Sequence, residues 1–396
     1  MTDTLAVVRL APGRHKRVKY GHPWAYSNEI AMDAAAKALP PGGVVRLEAA
    51  SGEPLGIAHF NAHTLIAARV LTRGTSLEAA HAHVAARLRA ALSLRERLYP
   101  GGFYRLIHAE ADGLPGLIVD RYGEVVAVQA NTVGMDRWLP EILAALDATV
   151  APRAVVLRND SPARTLEGLA LEVRVAKGAV DAPVEVRENG ARFLADIATG
   201  QKTGWFFDQR DNRAAVAALA AGARVLDLYS YAGGFAIAAA RAGANSVVAV
   251  DRSEGALALA ERSAALNDVT AKCRFVRAEV FAECERLAGT DERFDVVVAD
   301  PPAFVKSRKD LEAGKRGYRK LTRLAARLVA PGGFLFVASC SHNVDRATFA
   351  EQVSHGLDDA GRVGRILRDS GAAPDHPVHP HLPESAYLKA QIVQLD

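Results

Sequence analysis

The stretch RVLDLYSYAGGFAIAAARAGANSVVAVD, residues 224–251, decides the fold. Val225, Leu226 and Leu228 form a short apolar strand, and Gly233-Gly234 follows just past its end. Phe235 to Arg241 reads as a helix stopped at Gly243, and Val247 to Val250 form a second strand that closes on Asp251. Strand, glycine turn, helix and strand make the nucleotide half of a doubly wound sheet, in which ligands sit at the carboxyl ends of the strands. A carboxylate ending the second strand is placed to accept hydrogen bonds from ribose hydroxyls. The turn is not G-x-G-x-x-G, so the fingerprint of a bound pyrophosphate is missing. A ligand with adenosine and ribose but no pyrophosphate fits better, and S-adenosylmethionine is such a ligand.

Working outward, the α/β pattern continues with strands near 246–251, 273–277, 294–299 and 334–339 alternating with helices, as a mostly parallel sheet requires. A hairpin turning at Asn189-Gly190 leads into this region, which spans 189–396. Before it, residues 74–188 read as an α+β middle domain. Thr75 and Glu78 form a capping-box pair ahead of an amphipathic helix that runs to Leu98 and ends at Pro100-Gly101-Gly102. Strands FYRLIHAE, GLIVDRYG and VVAVQA follow, then a helix near 135–148 and a strand AVVLRN. Residues 1–73 alternate short β-like runs with Gly/Pro turns and suggest a small barrel.

The chain of 396 residues is 49% hydrophobic, which supports two or three cores. It has no run of about 18 apolar residues and no signal-peptide core at its start, so a cytoplasmic protein without a membrane partner is expected. Cys273, Cys284 and Cys340 show no C-x-x-C spacing, which points to neither a zinc site nor a disulfide framework. The net charge of +4 is modest, but its distribution is uneven. Arg9, Arg14, Lys16, Arg17 and Lys19 occur without an acid up to Trp24. A second cluster holds Lys306, Arg308, Lys309, Lys315, Arg316, Arg319, Lys320 and Arg323, diluted only by Asp310 and Glu312. Such clusters neutralise phosphates or form ordinary solvated faces.

Three segments carry candidate chemistry. FDVVVADPPAF (294–304) delivers Asp300 to a strand's carboxyl end, and Pro301-Pro302 stiffens the chain there. Phe304 is then expected either to stack on an unstacked base or to pack in the core. GGFLFVASCSHN (332–343) brings Cys340 to the same sheet edge. Its thiolate suits addition to C6 of a pyrimidine, which makes C5 nucleophilic. Cys273 and Cys284 read as buried small apolar residues. In GQKTGWFFDQRDNR (200–213), Gln201, Lys202, Asp208, Gln209 and Arg210 either cover the cofactor or cap the next helix. His376, His379 and His381 imitate a metal cluster but lack a regular ligand scaffold, so no metal is expected.

Over nearly its whole length the sequence resembles the bacterial 23S ribosomal RNA cytosine-C5 methyltransferase family of the large-subunit I type. VRLAPGRHKRVKYGHPWAYSNEI resembles the opening of that family's PUA domain, a small RNA-binding barrel. HAEADGLPGLIVDRYG resembles its middle domain, and GQKTGWFFDQRDNR the start of its methyltransferase domain. LYSYAGGFAIAA, VVAVDRS, ADPPAF, ASCS and DHPVHPHLPESAYLK match in order. The resemblance implies a Rossmann-like class I methyltransferase domain that uses S-adenosyl-L-methionine. It places Asp227, Tyr229, Tyr231, Gly233, Gly234 and Phe235 at the methionine part, and Asp251 with Arg252 at the ribose. Glu279 falls near the adenine, with Gln209 and Asp300 completing the cofactor set. Cys340 is implied as nucleophile, with Asp300 in the target-base pocket and as the preferred candidate for removing the C5 proton. From the basic clusters and the aromatic after the DPP turn, Arg14, Lys16, Arg17, Lys19, Phe304 and Lys306 are expected to hold RNA.

One departure stands out: many RNA enzymes of this class have a second cysteine after the DPP-type strand, and Pro301-Pro302-Ala303 contains none. Two other readings stay open: methylation of a guanine or adenine nitrogen in rRNA, and a non-catalytic RNA-binding ribosome-assembly factor. Ribosomal RNA is the expected partner, with a homodimer as a further candidate.

Overall fold

The structure, a computed structural model, describes residues 5–74, 76–180, 183–200 and 203–396. The chain divides into two compact units. The first comprises residues 1–184 with 196–205 and 375–383; the second comprises 185–195, 206–374 and 384–396.

The first unit holds two five-stranded sheets. Ala6–Arg9, Gly43–Glu48, Pro54–Phe60, Ala68–Thr72 and Trp24–Ala25 lie side by side in that order. They enclose a small core that includes Val8, Val45, Leu47 and Phe60. The other sheet runs Glu172–Lys177, Ala154–Asn159, Val125–Ala130, Leu117–Tyr122, Phe103–His108. Helix Leu77–Leu98 packs on it through Val84 and Leu88. Ser76 caps this helix by accepting from the Ala79 amide at 3.1 Å, whereas Thr75 lies outside the described residues. The expected helix near 135–148 is two helices, Val133–Arg137 and Leu139–Val150, because Pro140 restarts the turn. The strand expected to reach Glu110 stops at His108, and Ala109–Asp112 turns instead. Asp112 bends back to bind Arg95 through two hydrogen bonds of 2.6 and 2.7 Å, which satisfies a buried guanidinium.

In the second unit, strands Val184–Glu188 and Ala191–Ala195 form a hairpin whose turn residues Asn189 and Gly190 have φ of 50° and 77°. Both central residues take the positive φ that a tight two-residue hairpin needs. The main sheet has seven strands. These are β1 (Arg224–Leu228), β2 (Ser246–Asp251), β3 (Cys273–Arg277), β4 (Phe294–Ala299), β5 (Val329–Ser339), β6 (Gly364–Ser370) and β7 (Lys389–Leu395). Their spatial order is β3-β2-β1-β4-β5-β7-β6. The first five are mutually parallel, while β7 is antiparallel to both β5 and β6. The parallel part follows the expectation from sequence; the antiparallel β6–β7 pair departs from it.

Helices cover the sheet: α1 (Arg210–Ala217), α2 (Gly234–Arg241), α3 (Glu254–Leu266), α4 (Val280–Ala288), α5 (Leu311–Leu328) and α6 (Arg346–Ala360). The strand order reverses between β1 and β4, so the cleft opens at the carboxyl ends of these two strands. No helix among the described residues is long and apolar enough to cross a membrane.

Candidate active site

At the end of β1 the chain makes a strained turn. Tyr229 and Tyr231 have φ of 63° and 49°, and Gly233 has φ of 79°. Aromatic residues seldom adopt positive φ, and such strain concentrates at functional sites. The turn is held by its neighbours: the Ser230 amide donates to the Val250 carbonyl at 3.0 Å, and the Gly233 amide to the Ser230 carbonyl at 2.8 Å. Asp251, ending β2, accepts from the Tyr231 amide at 2.9 Å and from the Ser253 amide at 2.8 Å. Both of its oxygens are thereby oriented.

Asp227 sits one residue before the end of β1 and is only 1% exposed. Its Oδ2 accepts from the Ala236 amide at 2.9 Å, while Oδ1 is buried with no hydrogen-bond partner. Ser230 Oγ is likewise buried and unpartnered. Burial holds the Asp227 carboxyl well above the usual carboxylate range, and the nearby Asp300 and Asp251 charges push the same way. A buried acid with an orphaned oxygen fits a cationic group such as an amino acid's ammonium. The donor set therefore suits S-adenosylmethionine: Asp227 for its charged end and Asp251 for its ribose.

Several residues assigned to the cofactor have other work. An added Cβ on Gly233 would lie 2.9 Å from Ala260 Cβ and 3.0 Å from Ile237 Cδ1. Gly233 is thus required by backbone conformation and by helix packing. Gly234 begins α2 and is buried. Phe235 turns into the core, 6% exposed, with its ring 5.0 Å from that of Phe336. Glu279 is exposed and caps α4 by accepting from the Ala282 amide at 3.0 Å. Arg252 is exposed beside the turn, and its charge acts on Tyr229, whose phenol is raised chiefly by burial. Gln209 is buried and accepts from Asn212 Nδ2 at 2.6 Å, which ties the start of α1 together. Asp208 accepts from the Tyr387 hydroxyl and from the Ala373 amide through its carbonyl. Gln201 and Lys202 lie outside the described residues.

Asp300 leaves the end of β4, and Cys340 follows β5, its parallel neighbour. The register pairs Ala299 with Val337, so both residues leave the same sheet edge from adjacent strands, Cys340 two residues beyond the position opposite Asp300. Ser339 and Ser341, on either side of Cys340, are both fully buried. Their hydroxyls lie 2.8 and 2.7 Å from the Tyr318 hydroxyl, which pins the segment that presents Cys340. Opposite Ser339 in the ladder stands Lys389, a buried lysine that the sequence reading did not single out. Its signal was a lysine opening the apolar strand KAQIVQL. The other cysteines are less reactive surroundings for a thiol: burial pushes Cys273 up to about 11 and Cys284 up to about 12.

Phe304 is half-buried. Its ring lies 4.8 Å from that of Tyr318 and 6.2 Å from that of Phe281, and Gly317 leaves room for it. The core packing expected as one of its two roles is thus formed, on a ring that stays half-exposed.

The basic clusters are also thinner than their composition suggests. Arg17 pairs with Glu29 at 2.6 Å and stacks over Tyr26, and Lys19 pairs with Glu53 at 2.7 Å. The acids come from a short helical turn and a loop beyond residue 24, outside the reach of a local reading of 9–24. Arg14 and Lys16 remain exposed and outside any ion pair among the described residues. In the second cluster, Lys315, Arg319 and Lys320 pair with Glu312, Asp359 and Glu285. Lys306, Arg308, Lys309 and Arg316 stay exposed.

Comparison with known proteins bears on this geometry. Residues 156–380 match the S-adenosylmethionine-dependent methyltransferase family, and residues 8–73 match a PUA-like domain. The chain is 35% identical to ribosomal RNA large subunit methyltransferase I of Cronobacter sakazakii over 96% of its own length and 97% of that protein. It is 36% identical to the protein of the same name from Aeromonas salmonicida, covering 98% of each. Among solved structures, a Streptococcus mutans chain described as a candidate SAM-dependent methyltransferase superposes with a TM-score of 0.82 at 21% identity, covering 98% of this chain and 100% of that one. A second such methyltransferase, crystallised in complex with SAH, gives a TM-score of 0.83 at 21% identity, with the same coverage. With its matches spanning nearly the whole of relatives of the same length, the chain belongs to the ribosomal RNA large subunit methyltransferase I family of S-adenosylmethionine-dependent methyltransferases.

Proposed function

We propose that this protein methylates C5 of a cytosine in large-subunit ribosomal RNA through a covalent adduct on Cys340. The observation that carries the reading is the position of Cys340: it follows β5 one strand from Asp300, at the edge where Asp227 and Asp251 present their carboxylates. A nitrogen acceptor has its own lone pair and needs no thiol there. C5 of cytosine does need one, because it is not nucleophilic until an anion adds to C6.

Asp227 and Ser230 would hold the amino-acid end of the cofactor, and Asp251 its ribose. When bound, S-adenosylmethionine supplies a methyl group on a sulfonium, which C5 accepts as the cofactor becomes a neutral thioether. The Cys340 thiolate forms a bond from Sγ to C6, and the C5–C6 π pair shifts to C5. After methylation a base takes the C5 proton; the electron pair of that C–H bond restores the double bond, and the Sγ–C6 bond breaks to return the thiolate. Asp300 is the base we propose, because Pro301-Pro302-Ala303 offers no second cysteine.

Residues 1–73 would serve as the RNA-holding PUA-like domain, 74–188 as the middle domain and 189–396 as the methyltransferase domain. Arg14, Lys16 and Lys306 are the RNA contacts best supported by exposure. A cytoplasmic setting goes with such a substrate. The relatives lend no support to a homodimer, and the proposed chemistry needs only one chain.

Mass mapping of ribosomal RNA from cells with and without the gene tests the proposal. A methyl group lost from a cytosine carbon supports it; one lost from a purine nitrogen overturns it.

A further inference from the structure

Lys389 poses a problem of charge. The residue is 3% exposed, and Nζ donates to the Ser341 carbonyl at 2.7 Å and to the Tyr387 carbonyl at 2.8 Å. Neutral carbonyls do not balance a buried ammonium, and buried charges are normally paired. Among the described residues no carboxylate lies within salt-bridge distance of Lys389. The antiparallel ladder sets it opposite Ser339, and its bond to Ser341 brings Nζ across the residue between them. That residue is Cys340. Two of the three N–H donors are committed to carbonyls on either side, and the ammonium is anchored where a thiolate would form.

We propose that Lys389 is a positioning residue for the reaction, a buried cation that holds Cys340 as a thiolate before addition to C6 and receives it again on release. This rests on the reading of Cys340 as nucleophile. The S–H proton leaves to solvent, the sulfur electron pair is held by the Lys389 ammonium, and the same pair then forms the bond to C6. When that bond breaks, the pair returns to sulfur beside the same cation.

The groups facing Nζ are few. Cys340 comes from the end of β5, Asp345 and Arg346 from the start of α6, and Tyr387 from the approach to β7. Behind Tyr387 lie the His342 ring, 5.1 Å away, and Asp208, which accepts from its hydroxyl. Burial lowers the Lys389 ammonium to about 8, against the pull of Cys340 and Asp345, while Arg346 adds to the lowering. The cation is therefore present at neutral pH and is lost just above it.

The test is the pH profile of Cys340 alkylation by iodoacetamide in the full-length protein, read by peptide mass spectrometry, without cofactor or RNA. Wild type should show a midpoint at or below about 7.5, under the ordinary cysteine value of about 8.5. Lys389→Gln, which keeps N–H donors but drops the charge, should move the midpoint up by at least about one unit. That slows alkylation at pH 7 about tenfold. Lys389→Met should do the same, and Lys389→Arg should restore the wild-type midpoint.

Equal midpoints in wild type and both uncharged variants would overturn the proposal. So would an arginine variant shifted as far as glutamine with an unchanged melting temperature. If no variant folds, the wild-type profile decides: a midpoint of 8.5 or above overturns it. Because the measurement needs no RNA, a lowered midpoint together with methylation mapped to a nitrogen would leave the ion pair standing and remove only the C5 reading.

Discussion

Replacing Asp227 by Asn should strengthen the empty protein and weaken its cofactor binding at the same time. The carboxyl is 1% exposed, has one oxygen without a partner, and is held above its usual range by burial, with Asp300 and Asp251 adding repulsion. Asn has the shape of the protonated acid, so the Ala236 amide keeps an acceptor while the unfavourable charge disappears. The sign follows from linkage. A carboxyl whose folded pKa lies above its unfolded value keeps a proton that the unfolded chain has released. Its contribution is therefore fully present below about pH 4 and is lost as pH rises towards the folded value. The variant should gain on wild type progressively above about pH 4, with each 1 kcal/mol appearing as about 2–4 °C in melting temperature for a domain of this size.

The cofactor's ammonium, by contrast, would lose a charge-assisted hydrogen bond of about 1.5–3 kcal/mol, a rise in Kd of about 10- to 150-fold. Calorimetric titration with S-adenosylmethionine at pH 7.5, alongside melting curves of the free protein at pH 4 and 7.5, reads both effects. A Kd within twofold of wild type would refute the placement of the charged end at Asp227. A free variant less stable than wild type at pH 7.5 would refute the account of its buried charge.

Cys340→Ala should abolish methylation while leaving cofactor and RNA affinity near wild type, because the thiol acts in the transition state; single-turnover assays with parallel binding measurements check this. Wild type with RNA containing 5-fluorocytosine at the target should form a covalent complex that survives denaturing gel electrophoresis, since fluorine cannot leave as a proton does. Neutralising Arg14 and Lys16 together should lower RNA affinity and reduce the log–log salt slope by about 0.9 for each lost duplex contact. Neutralising Arg17 and Lys19, which are paired with Glu29 and Glu53, should change the slope less, and equal changes would argue against the pairing. Gly233→Ala should cost about 1–3 kcal/mol, from a φ of 79° and contacts of 2.9 and 3.0 Å to α3 and α2, measurable by denaturant unfolding.

The reading of Phe304 and Phe235 shows where local sequence stops being informative. An aromatic residue beside a glycine turn or a DPP segment has the same sequence signature whether its ring faces a ligand or the core. Gly317 and Tyr318, which give Phe304 its packing site, come from α5, and Phe336, which receives Phe235, comes from β5. Lys389 was overlooked for the same reason. Its partner Ser341, 48 residues away in the chain, reaches it through an antiparallel pairing absent from the parallel pattern expected from the sequence.

By itself the sequence determined what depends on short range: the parallel strands and their helices, the Asn189-Gly190 hairpin, and the carboxyl-end positions of Asp227, Asp251, Asp300 and Cys340. Period and turn chemistry are written in consecutive residues, and a residue just past a strand must lie at that sheet edge whatever packs around it. Only the tertiary structure decided which charges are free and which rings are exposed. It neutralised Arg17 and Lys19 with distant acids, buried Asp227 with an orphaned oxygen, and set a lysine from the last strand beside Cys340. Those outcomes depend on burial and on partners far apart in the chain, and electrostatic free energy responds to both.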